Sequence, residues 1–477
     1  MTLDPDSCYR ALQARDRRFD GKFFVGVAST RVYCRPVCTV RMPRRENCSF
    51  FASAAAAEVG GFRPCLRCRP ELAPGNAGID AAARLAQSAV NLIENGALDE
   101  GGIEHLAARI GVTSRHLRRV FEAEFGVAPI EYGQTQRLLL AKRLLTDTAL
   151  PVTEVALASG FASVRRFNAL FKERYRMPPG RLRRSAAGGA VAGPLAFLLS
   201  YRPPYDWDAM LAFLAARAIA GVEDAGADAY RRTLAITQRG VTHVGAIEVR
   251  RVARRHALSV AVSPSLARVV PAVLARVKHA FDLTCDPAVV AAALGDLAAD
   301  HAGLRVPGAF DGFELAVRAV VGQQITVRGA RTLLGRLAAA FGETAAATAD
   351  GPARLFPTAA RIAAGEPGEI VRLGLTTARA RTLIGLARVL ADGELTLQPG
   401  GDVDATLRAL VALPGIGPWT AQYIAMRALG WPDAFLASDL VVRKALGGIS
   451  PARALARSEA WRPWRAYAVL HLWRTAA

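Results

Sequence analysis

Cysteine is nearly absent from most of this chain of 477 residues: six of its seven cysteines lie before residue 70, and only Cys285 follows. Long apolar runs are also missing, because the longest one, around VAGPLAFLLS, is well short of the ~20 residues that a membrane-spanning helix needs. The first residues, MTLDPDSCYR, contain no charged-then-apolar leader. We therefore expect a cytoplasmic protein without a membrane segment, in which clustered cysteines are metal ligands or reactive thiols rather than disulfides.

Acidic residues are too few to balance the basic ones. The 41 Asp and Glu residues stand against 61 Lys and Arg, which gives a formal net charge of +20. This sign favours a polyanionic partner such as nucleic acid over an acidic small molecule. The length also exceeds the roughly 100 to 200 residues of one domain, so several hydrophobic cores are expected.

The residue pattern changes along the chain and predicts a multidomain α+β protein. Short β-branched runs interrupted by Pro and Gly predict a small module that a metal site holds together. A long stretch follows in which apolar residues recur at helical spacing. SAAGGAVAGP predicts a flexible linker, and the runs TLAITQR, THVGAIEVR and HALSVAVS predict strands of an α/β unit. The expected bounds are a stapled module at 1–75, an all-helical domain at 79–184, a linker at 185–193, an α/β lobe at 194–282 and a helical lobe at 283–477.

Four of the early cysteines form two close pairs, Cys34-x3-Cys38 and Cys65-x2-Cys68. This spacing is typical of a tetrahedral structural zinc site, and a module this small needs such a staple because its apolar core is thin. The alternative is four unligated core thiols. Coordination to zinc keeps the four sulfurs deprotonated, and the site then carries a charge near −2, so it could act as a nucleophile as well as a structural site. Cys8, Cys48 and Cys285 have no comparable spacing and are interpreted as buried small hydrophobes.

The segments RDRRFDGKFFVGVASTRVYCRPVC, RRENCSFF and GFRPCLRCRPE resemble the N-terminal domain of the Ada adaptive-response proteins across most of residues 8–72. The resemblance implies that Cys34 takes a methyl group from a DNA methylphosphotriester, while Cys34, Cys38, Cys65 and Cys68 together hold one zinc ion. Methylation would remove one negative charge from the site and let the surrounding basic residues hold DNA, which would turn damage into a transcriptional signal. Those basic residues are Arg35, Arg41, Arg44, Arg45, Arg63, Arg67 and Arg69.

Two stretches of the helical segment have the sequence pattern of a helix-turn-helix motif. In IEHLAARIGVTSRHLRRVFEAEFGVAPIEY, Gly111 supplies the turn and Ser114 is expected to cap the following helix. About fifty residues later, LPVTEVALASGFASVRRFNALFKERYRMPPGRLR repeats the pattern with Gly160 at the turn and Ser163 before the next helix. The alternative for either stretch alone is a solvated basic helix.

The tandem repeat, with its second unit ending F-x-x-x-F-K-x-x-x-x-x-P, resembles the AraC/XylS regulators. The resemblance implies that the second helix of each unit enters the major groove of double-stranded promoter DNA. It also implies RNA polymerase as a further partner, and we expect a monomer. The implied DNA contacts are Arg115, Arg118, Arg165 and Arg166.

In the last segment, LPGIGPWTAQY places Gly415 and Gly417 ahead of a helix, where backbone amides and a positive helix end can face a phosphate. An ordinary tight turn between helices is the alternative. About twenty residues later, FLASDLVVRKAL places Asp439 at or near a helix start, where a carboxylate stays charged although partly shielded. The alternative there is a simple helix cap.

Together the two segments resemble the helix-hairpin-helix DNA glycosylases. Over residues 197–474 the resemblance extends to 3-methyladenine DNA glycosylase II, the AlkA family, on YRPPYDWDAMLAFLAARAIAGVE, FDLTCDPAVVAAALG, PGAFDGFELAVRAVVGQQIT and WRPWRAYAVLHLW. It implies that Asp439 assists the departure of an alkylated purine, which is already cationic and needs a stabilised oxocarbenium-like sugar rather than a strong acid. It also implies an aromatic pocket for the flipped base, although each of its members could instead be plain core. The pocket positions are Phe213, Trp419, Tyr423 and Trp473.

The sequence departs from the family pattern at a possible wedge position and at the helix after the hairpin. Gln324, in VVGQQIT, stands where some members have an apolar wedge that fills the gap left by the flipped base. Relatives that also cut the strand carry a lysine in the helix after the hairpin, whereas here Trp419 follows Pro418 and no lysine occurs between Pro418 and Lys444. We therefore expect no lyase activity. The resemblance further implies a monovalent cation at the hairpin loop.

The sequence thus predicts a fusion of a zinc-thiolate methyl acceptor, an AraC-type DNA-binding domain and an alkylpurine glycosylase. The rival interpretation is a transcriptional regulator whose C-terminal half is a non-catalytic DNA clamp.

Overall fold

The computed structural model describes residues 4–74, 81–148, 150–185, 195–238, 240–345 and 351–475. The predicted linker at 185–193 lies outside the described residues except for Ser185, which ends a helix. Within these ranges, every helix is too short or too polar to cross a bilayer.

The N-terminal module is a four-stranded sheet with one helix before it and one beside it, as the short β-branched runs predict. The sheet order is β3-β1-β2-β4, antiparallel except for the parallel β2–β4 pair. Its elements are α1 Pro5–Gln13, β1 Phe24–Val27, β2 Val32–Cys34, β3 Cys48–Phe51, α2 Ala54–Val59 and β4 Arg63–Pro64.

The next segment is all-helical, as predicted. Its elements are α3 Ala81–Glu94, α4 Ala97–Ile110, α5 Ser114–Phe125, α6 Pro129–Asp147, α7 Val152–Ala158, α8 Val164–Tyr175 and α9 Pro179–Ser185. Helix α4 is broken by non-helical backbone at Gly101 and Gly102, so the first helix of the first unit is its second half.

Both predicted turns are present. Gly111 and Gly160 adopt φ values of 81° and 84°, a left-handed conformation that glycine takes without steric cost. The cap of α8 is Ser163, as expected. The cap expected at Ser114 is wrong: Thr113 accepts the backbone hydrogen bond from His116, and Ser114 is the first residue of the helix. Ser and Thr both serve as caps, so the spacing alone did not separate the two neighbours.

The C-terminal half begins with an α/β lobe built on a five-stranded antiparallel sheet of order β5-β9-β8-β7-β6. The three strands expected from the sequence are β7, β8 and β9. The elements are β5 Leu195–Ser200, α10 Trp207–Arg217, β6 Glu223–Ala225, β7 Ala229–Gln238, β8 Val241–Arg251, β9 Ala257–Val262 and α11 Val270–Ala280.

The remainder is a helical lobe, as predicted. Its helices are α12 Pro287–Leu294, α13 Gly312–Val321, α14 Val327–Phe341, α15 Ala359–Ala363, α16 Pro367–Arg372, α17 Thr377–Ala391, α18 Val403–Ala412, α19 Pro418–Arg427, α20 Leu440–Ala445, α21 Pro451–Ser458 and α22 Arg465–Thr475. A buried ion pair joins the helical lobe to the sheet: Glu314 of α13 lies 2.7 Å from Arg232 of β7.

One hydrophobic core runs from the helical segment into the α/β lobe. It combines apolar side chains of α6–α9 with those of β5, β7, β8, β9, α10 and α11. Helix α7 packs on the turn Pro264–Val269, and the buried guanidinium of Arg143 lies 4.6 Å from the ring centroid of Phe197 in β5. The second helix-turn-helix unit and the sheet are therefore two sides of one packed interface.

Polar contacts tie the remaining units together. Glu94 of α3 pairs with Lys278 of α11 at 2.9 Å. In the N-terminal module, Lys22 pairs with Asp286 at 2.5 Å, and the buried Arg202 donates to the carbonyl oxygen of Asp20 at 3.0 Å.

Candidate functional site

The four paired cysteines meet at one edge of the N-terminal sheet. Cys34 ends β2, Cys65 directly follows its parallel partner β4, and Cys38 and Cys68 lie in the adjoining turns. Their four Sγ atoms all lie within 4.8 Å of one another. Zinc–sulfur bonds of ~2.3 Å place the sulfurs of a tetrahedral site roughly 3.8 Å apart, so this donor set fits zinc.

The surroundings of the cluster act differently on its four thiols. The amide of Arg35 donates to Cys68 Sγ at 3.3 Å, and the amide of Arg67 donates to Cys65 Sγ at 3.4 Å. Mutual hydrogen bonds, above all those with Cys34, lower the pKa of Cys38 to about 7 and lower the pKa of Cys65. The same contacts raise the pKa of Cys34, chiefly through Cys38, and the pKa of Cys68 is raised because the lowering effect of Cys34 is outweighed by Cys38 and Cys65. Binding of a metal by all four sulfurs would therefore release protons from the cluster.

Accessibility differs within the cluster. Cys34 and Cys38 are each 4% exposed, whereas Cys68 is partly exposed. The three remaining cysteines, Cys8, Cys48 and Cys285, are buried, which confirms their interpretation as small core residues.

Two of the arginines expected to face DNA form ion pairs within the protein instead. Arg35 is buried and donates to both carboxylate oxygens of Asp20, and the shorter of the two bonds is to Oδ2. Arg69 pairs with Glu71 at 3.0 Å and with Asp147 of α6 at 2.6 Å. The basic surface around the cluster is therefore smaller than predicted, with Arg41, Arg44 and Arg67 exposed.

Buried polar contacts connect the cluster to the helix-turn-helix domain. Tyr33, directly before Cys34, donates to Glu58 at 3.0 Å, and Tyr175 of α8 donates to the same carboxylate at 3.4 Å. Lys142 of α6 donates to the carbonyl oxygen of Cys65 at 3.4 Å and pairs with Glu71 at 2.8 Å. Sequence reasoning missed Glu58, because a lone glutamate in the Ala-rich α2 gives no signal of burial.

The arginines expected at the DNA lie on the solvent side of the second helix of each unit. All four, Arg115, Arg118, Arg165 and Arg166, are exposed. Arg118 lies 3.6 Å from Glu104, which is itself exposed, so this pair adds little stability and leaves the guanidinium available.

Asp439 is the N-cap of α20 and is partly buried. Its Oδ1 accepts from the amides of Val441 and Val442 at 3.0 Å and from the Trp473 indole at 3.1 Å. Its Oδ2 accepts from the Trp419 indole at 3.0 Å. The cap alternative is thus correct as local structure, but two indole donors from α19 and α22 also orient the same carboxylate.

The predicted pocket residues surround Asp439 in a cleft of about 660 Å³ between the two lobes. Trp419 and Tyr423 stack at 5.3 Å with an interplanar angle of 9°, and Trp473 lies 6.4 Å from Tyr423. Phe213 of α10 also lines the cleft. A flat, cationic ring would find π-faces here beside a carboxylate.

Two arginines that sequence reasoning missed also line the cleft. The guanidinium of Arg217 lies 3.7 Å from the Phe213 ring centroid, and that of Arg427 lies 4.9 Å from it, so Phe213 faces cations rather than open space. Arg427 also donates to the Tyr423 hydroxyl at 2.7 Å. Burial raises the pKa of Tyr423, but Arg427 and Arg217 outweigh it and the pKa is lowered. The i, i+4 spacing from each aromatic residue to its arginine was the available signal.

The segment Leu413 to Gly417 forms a tight hairpin before α19, as its two glycines suggest. Gly415 has φ 86°, and a Cβ there would lie 2.1 Å from Thr382 Oγ1, so only glycine fits. Gly417 is exposed, and as the N-cap of α19 it has open space around its Cα. Gln324 is exposed on the neighbouring loop between α13 and α14 and has φ 53°.

Four families match the chain in succession. They are described as the metal binding domain of Ada at residues 7–71, a helix-turn-helix domain at 106–185, the AlkA N-terminal domain at 196–311 and the HhH-GPD superfamily base excision DNA repair protein at 317–465.

Individual relatives match different portions of the chain. A probable bifunctional transcriptional activator/DNA repair enzyme AlkA of Mycobacterium tuberculosis is 40% identical over 491 residues, which span 100% of this chain and 97% of that protein. DNA-3-methyladenine glycosylase 2 of Escherichia coli is 41% identical over 282 residues, or 58% of this chain and 97% of its own length. The structure of a 3-methyladenine DNA-glycosylase from Archaeoglobus fulgidus aligns with a TM-score of 0.50 at 18% identity, covers 59% of this chain and 98% of its own, and shows the shared fold.

Because 40% identity extends over the full length of this chain and 97% of the Mycobacterium tuberculosis relative, the chain belongs to the family of bifunctional transcriptional activator/DNA repair enzymes of the AlkA type.

Proposed function

We propose that the C-terminal half excises alkylated purines such as 3-methyladenine from double-stranded DNA. The observation that carries this proposal is the Asp439 carboxylate, held by two indole donors inside an aromatic cleft. A carboxylate that accepts four N–H groups is fixed in orientation, which suits electrostatic stabilisation of a cationic sugar rather than acid catalysis.

The flipped base would lie among Trp419, Tyr423 and Trp473, with Phe213 and its arginines also lining the cleft. A cationic alkylpurine stacks on electron-rich π-faces, and its positive charge makes it a good leaving group. The hairpin amides around Gly415 and Gly417 would hold a phosphate of the same strand, and Gln324 would fill the gap in the duplex. A monovalent cation at the hairpin carbonyls remains part of this proposal.

The test is base release by the full chain from duplex DNA that carries 3-methyladenine. We expect free base and an intact abasic strand, because the described residues that line the cleft include no lysine to form a Schiff base. Specific binding of the damaged duplex without any base release would instead support the rival non-catalytic clamp.

For the N-terminal module we propose that Cys34 accepts the methyl group of a DNA methylphosphotriester. The thiolate sulfur attacks the methyl carbon, the S–C bond forms, and the O–C bond breaks with its electron pair left on the phosphodiester oxygen. Zinc held by the four cysteines would keep the sulfurs deprotonated at neutral pH. At 4% exposure, Cys34 needs the damaged backbone to be pressed into the edge of the sheet.

The methyl transfer would switch promoter binding through charge and packing. The site would go from about −2 to about −1, and at ~8 Å and an effective dielectric of ~20 one charge on a phosphate is worth on the order of 2 kcal/mol. The exposed cations near the site are Arg41, Arg44 and Arg67, and their attraction to DNA phosphates would then be opposed by less negative charge. The Tyr33–Glu58–Tyr175 contacts lead from the acceptor to α8, whose Arg165 and Arg166 would read DNA together with Arg115 and Arg118 of α5.

Peptide mapping after incubation with methylphosphotriester DNA tests the acceptor. A methyl group on Cys34 supports the assignment, and a methyl group on another cysteine overturns it. Promoter affinity of the methylated and unmethylated full chain at matched salt then tests the switch, since equal affinities would refute it.

We further propose that the protein acts as a monomer and engages RNA polymerase when bound to a promoter. Light scattering of the full chain tests the first statement, and transcription from a bound promoter with purified polymerase tests the second.

A further inference from the structure

Gln323 joins three segments of the helical lobe at one point. Its side-chain Nε2 donates to the carbonyl oxygen of Gly415 in the hairpin at 3.0 Å and to Thr420 Oγ1 of α19 at 3.0 Å. The backbone carbonyl oxygen of Gln323 accepts a short hydrogen bond from the side chain of Arg379, in the first turn of α17. The α13–α14 loop, the hairpin and the start of α17 are therefore connected through a single residue.

The residue after it, Gln324, is held in an uncommon conformation. Its φ of 53° lies in the left-handed region, which residues other than glycine rarely occupy, and the residue is exposed. Such a backbone persists only when its neighbours hold it. The contacts of Gln323 act on the N-terminal side of Gln324, and Thr326, which caps α14 by accepting from the amide of Gly329 at 3.1 Å, fixes the C-terminal side.

We propose that Gln323 is a positioning residue for base flipping: it fixes the distance between the hairpin that grips the strand and the side chain of Gln324 that enters the duplex. This inference rests on the proposed role of Gln324. The hairpin contributes its amides to a phosphate, and Gln323 occupies the carbonyl oxygen of Gly415, so the two groups do not compete. A gap-filling side chain stabilises the extrahelical base only when it arrives in register with the strand that is gripped.

The contacts predict which step depends on Gln323. Loss of the connection changes how well the extrahelical base is stabilised, whereas Asp439 and its indole donors lie outside these hydrogen bonds. The defect should therefore follow the cost of flipping. A lesion opposite a mismatched base is already weakly paired and costs less to extrude than the same lesion in a matched pair.

Gln323→Met in the full chain removes the donor while keeping the length and neutrality of the side chain. Single-turnover release of 3-methyladenine is measured from a matched and from a mismatched duplex. We expect a fall of about tenfold on the matched duplex and less than threefold on the mismatched one. Arg379→Met, which removes the hydrogen bond on the other side of Gln323, should show the same preference, and thermal unfolding checks that both variants fold.

A double variant separates this inference from the role of Gln324. If Gln323 acts through its neighbour, Gln324→Ala and the pair Gln323→Met/Gln324→Ala should show the same matched-duplex rate within about twofold. Equal losses on both duplexes, no loss, or additive losses would overturn the positioning role. A Gln324→Ala variant with the wild-type rate on both duplexes would instead overturn the gap-filling role on which the inference rests.

Discussion

Trp473 donates its indole hydrogen to Asp439 Oδ1 across 3.1 Å, from the last helix of the chain to the cap of α20. With Trp419 on the other carboxylate oxygen, the acid has N–H donors on both sides. The same rings line the cleft, so one pair of residues supplies both the π-faces and the orientation of the charge.

Asp439→Asn should retain the fold and DNA affinity but lose base release. At a separation of ~4 Å and an effective dielectric of ~20, the charge is worth on the order of 4 kcal/mol to a developing cation, which corresponds to roughly a thousandfold in rate. Single-turnover kinetics on 3-methyladenine duplex measure the rate, and binding of abasic-site DNA is the control. Near wild-type release would show that another carboxylate carries the reaction.

Trp473→Phe tests the indole donor separately from the ring. The aromatic face remains while one hydrogen bond to a charged acceptor is lost, a change of about 1.5–3 kcal/mol. We expect the single-turnover rate constant to fall by about tenfold or more, with a smaller change in the substrate concentration at half-saturation. Trp461→Phe, which alters a partly buried ring outside the cleft, is the matched control. An equal response of the two variants would contradict the role of the donor.

The N-terminal module should hold one zinc ion per chain and depend on it for folding. Zinc bound by four thiolates contributes on the order of 10 kcal/mol, which exceeds the stability of a small domain. Elemental analysis should therefore find one zinc in the wild type and in Cys48→Ser, and much less in Cys68→Ser. Full zinc in the Cys68 variant would remove this residue from the ligand set.

Glu58 should make the protein less stable as the pH rises. Burial raises its pKa to about 7 against the hydrogen bonds of Tyr33, Thr135 and Tyr175. The folded protein then holds this proton more tightly than the unfolded chain, so the stabilisation is complete below pH ~4.5 and is lost as the pH rises through ~7, by up to about 3 kcal/mol.

Urea unfolding at pH 5.5 and pH 8 measures this effect. Glu58→Gln should remove part of the pH dependence and be the more stable protein at pH 8, while Glu122→Gln on exposed α5 should leave the dependence unchanged. Identical pH dependence in wild type and Glu58→Gln would refute the buried proton.

The sequence predicted the features that depend on local pattern. The paired cysteines, the tandem helix-turn-helix units, the three strands of the α/β lobe and the glycine hairpin all follow from spacing and turn chemistry, and the structure contains each of them. Glu58 and the pairing of Arg35 with Asp20 were not predictable, because both depend on which surfaces meet after folding.

The aromatic cleft was partly predictable in the same sense. The resemblance indicated the rings, but the hydrogen bonds from Trp419 and Trp473 to one carboxylate depend on the relative placement of α19, α20 and α22. The neighbouring Arg217 and Arg427 could have been inferred from helical spacing. The contact of Arg427 with Phe213, which crosses between the two lobes, could not.

The core that α6–α9 share with the five-stranded sheet bears on how such a gene can evolve. A recombination event between the halves would uncover Phe197 and its neighbours on one product and the inner faces of α6–α9 on the other. Each product would then expose an apolar patch that invites aggregation. A free-standing descendant of the C-terminal half would therefore need polar replacements on this side of the sheet.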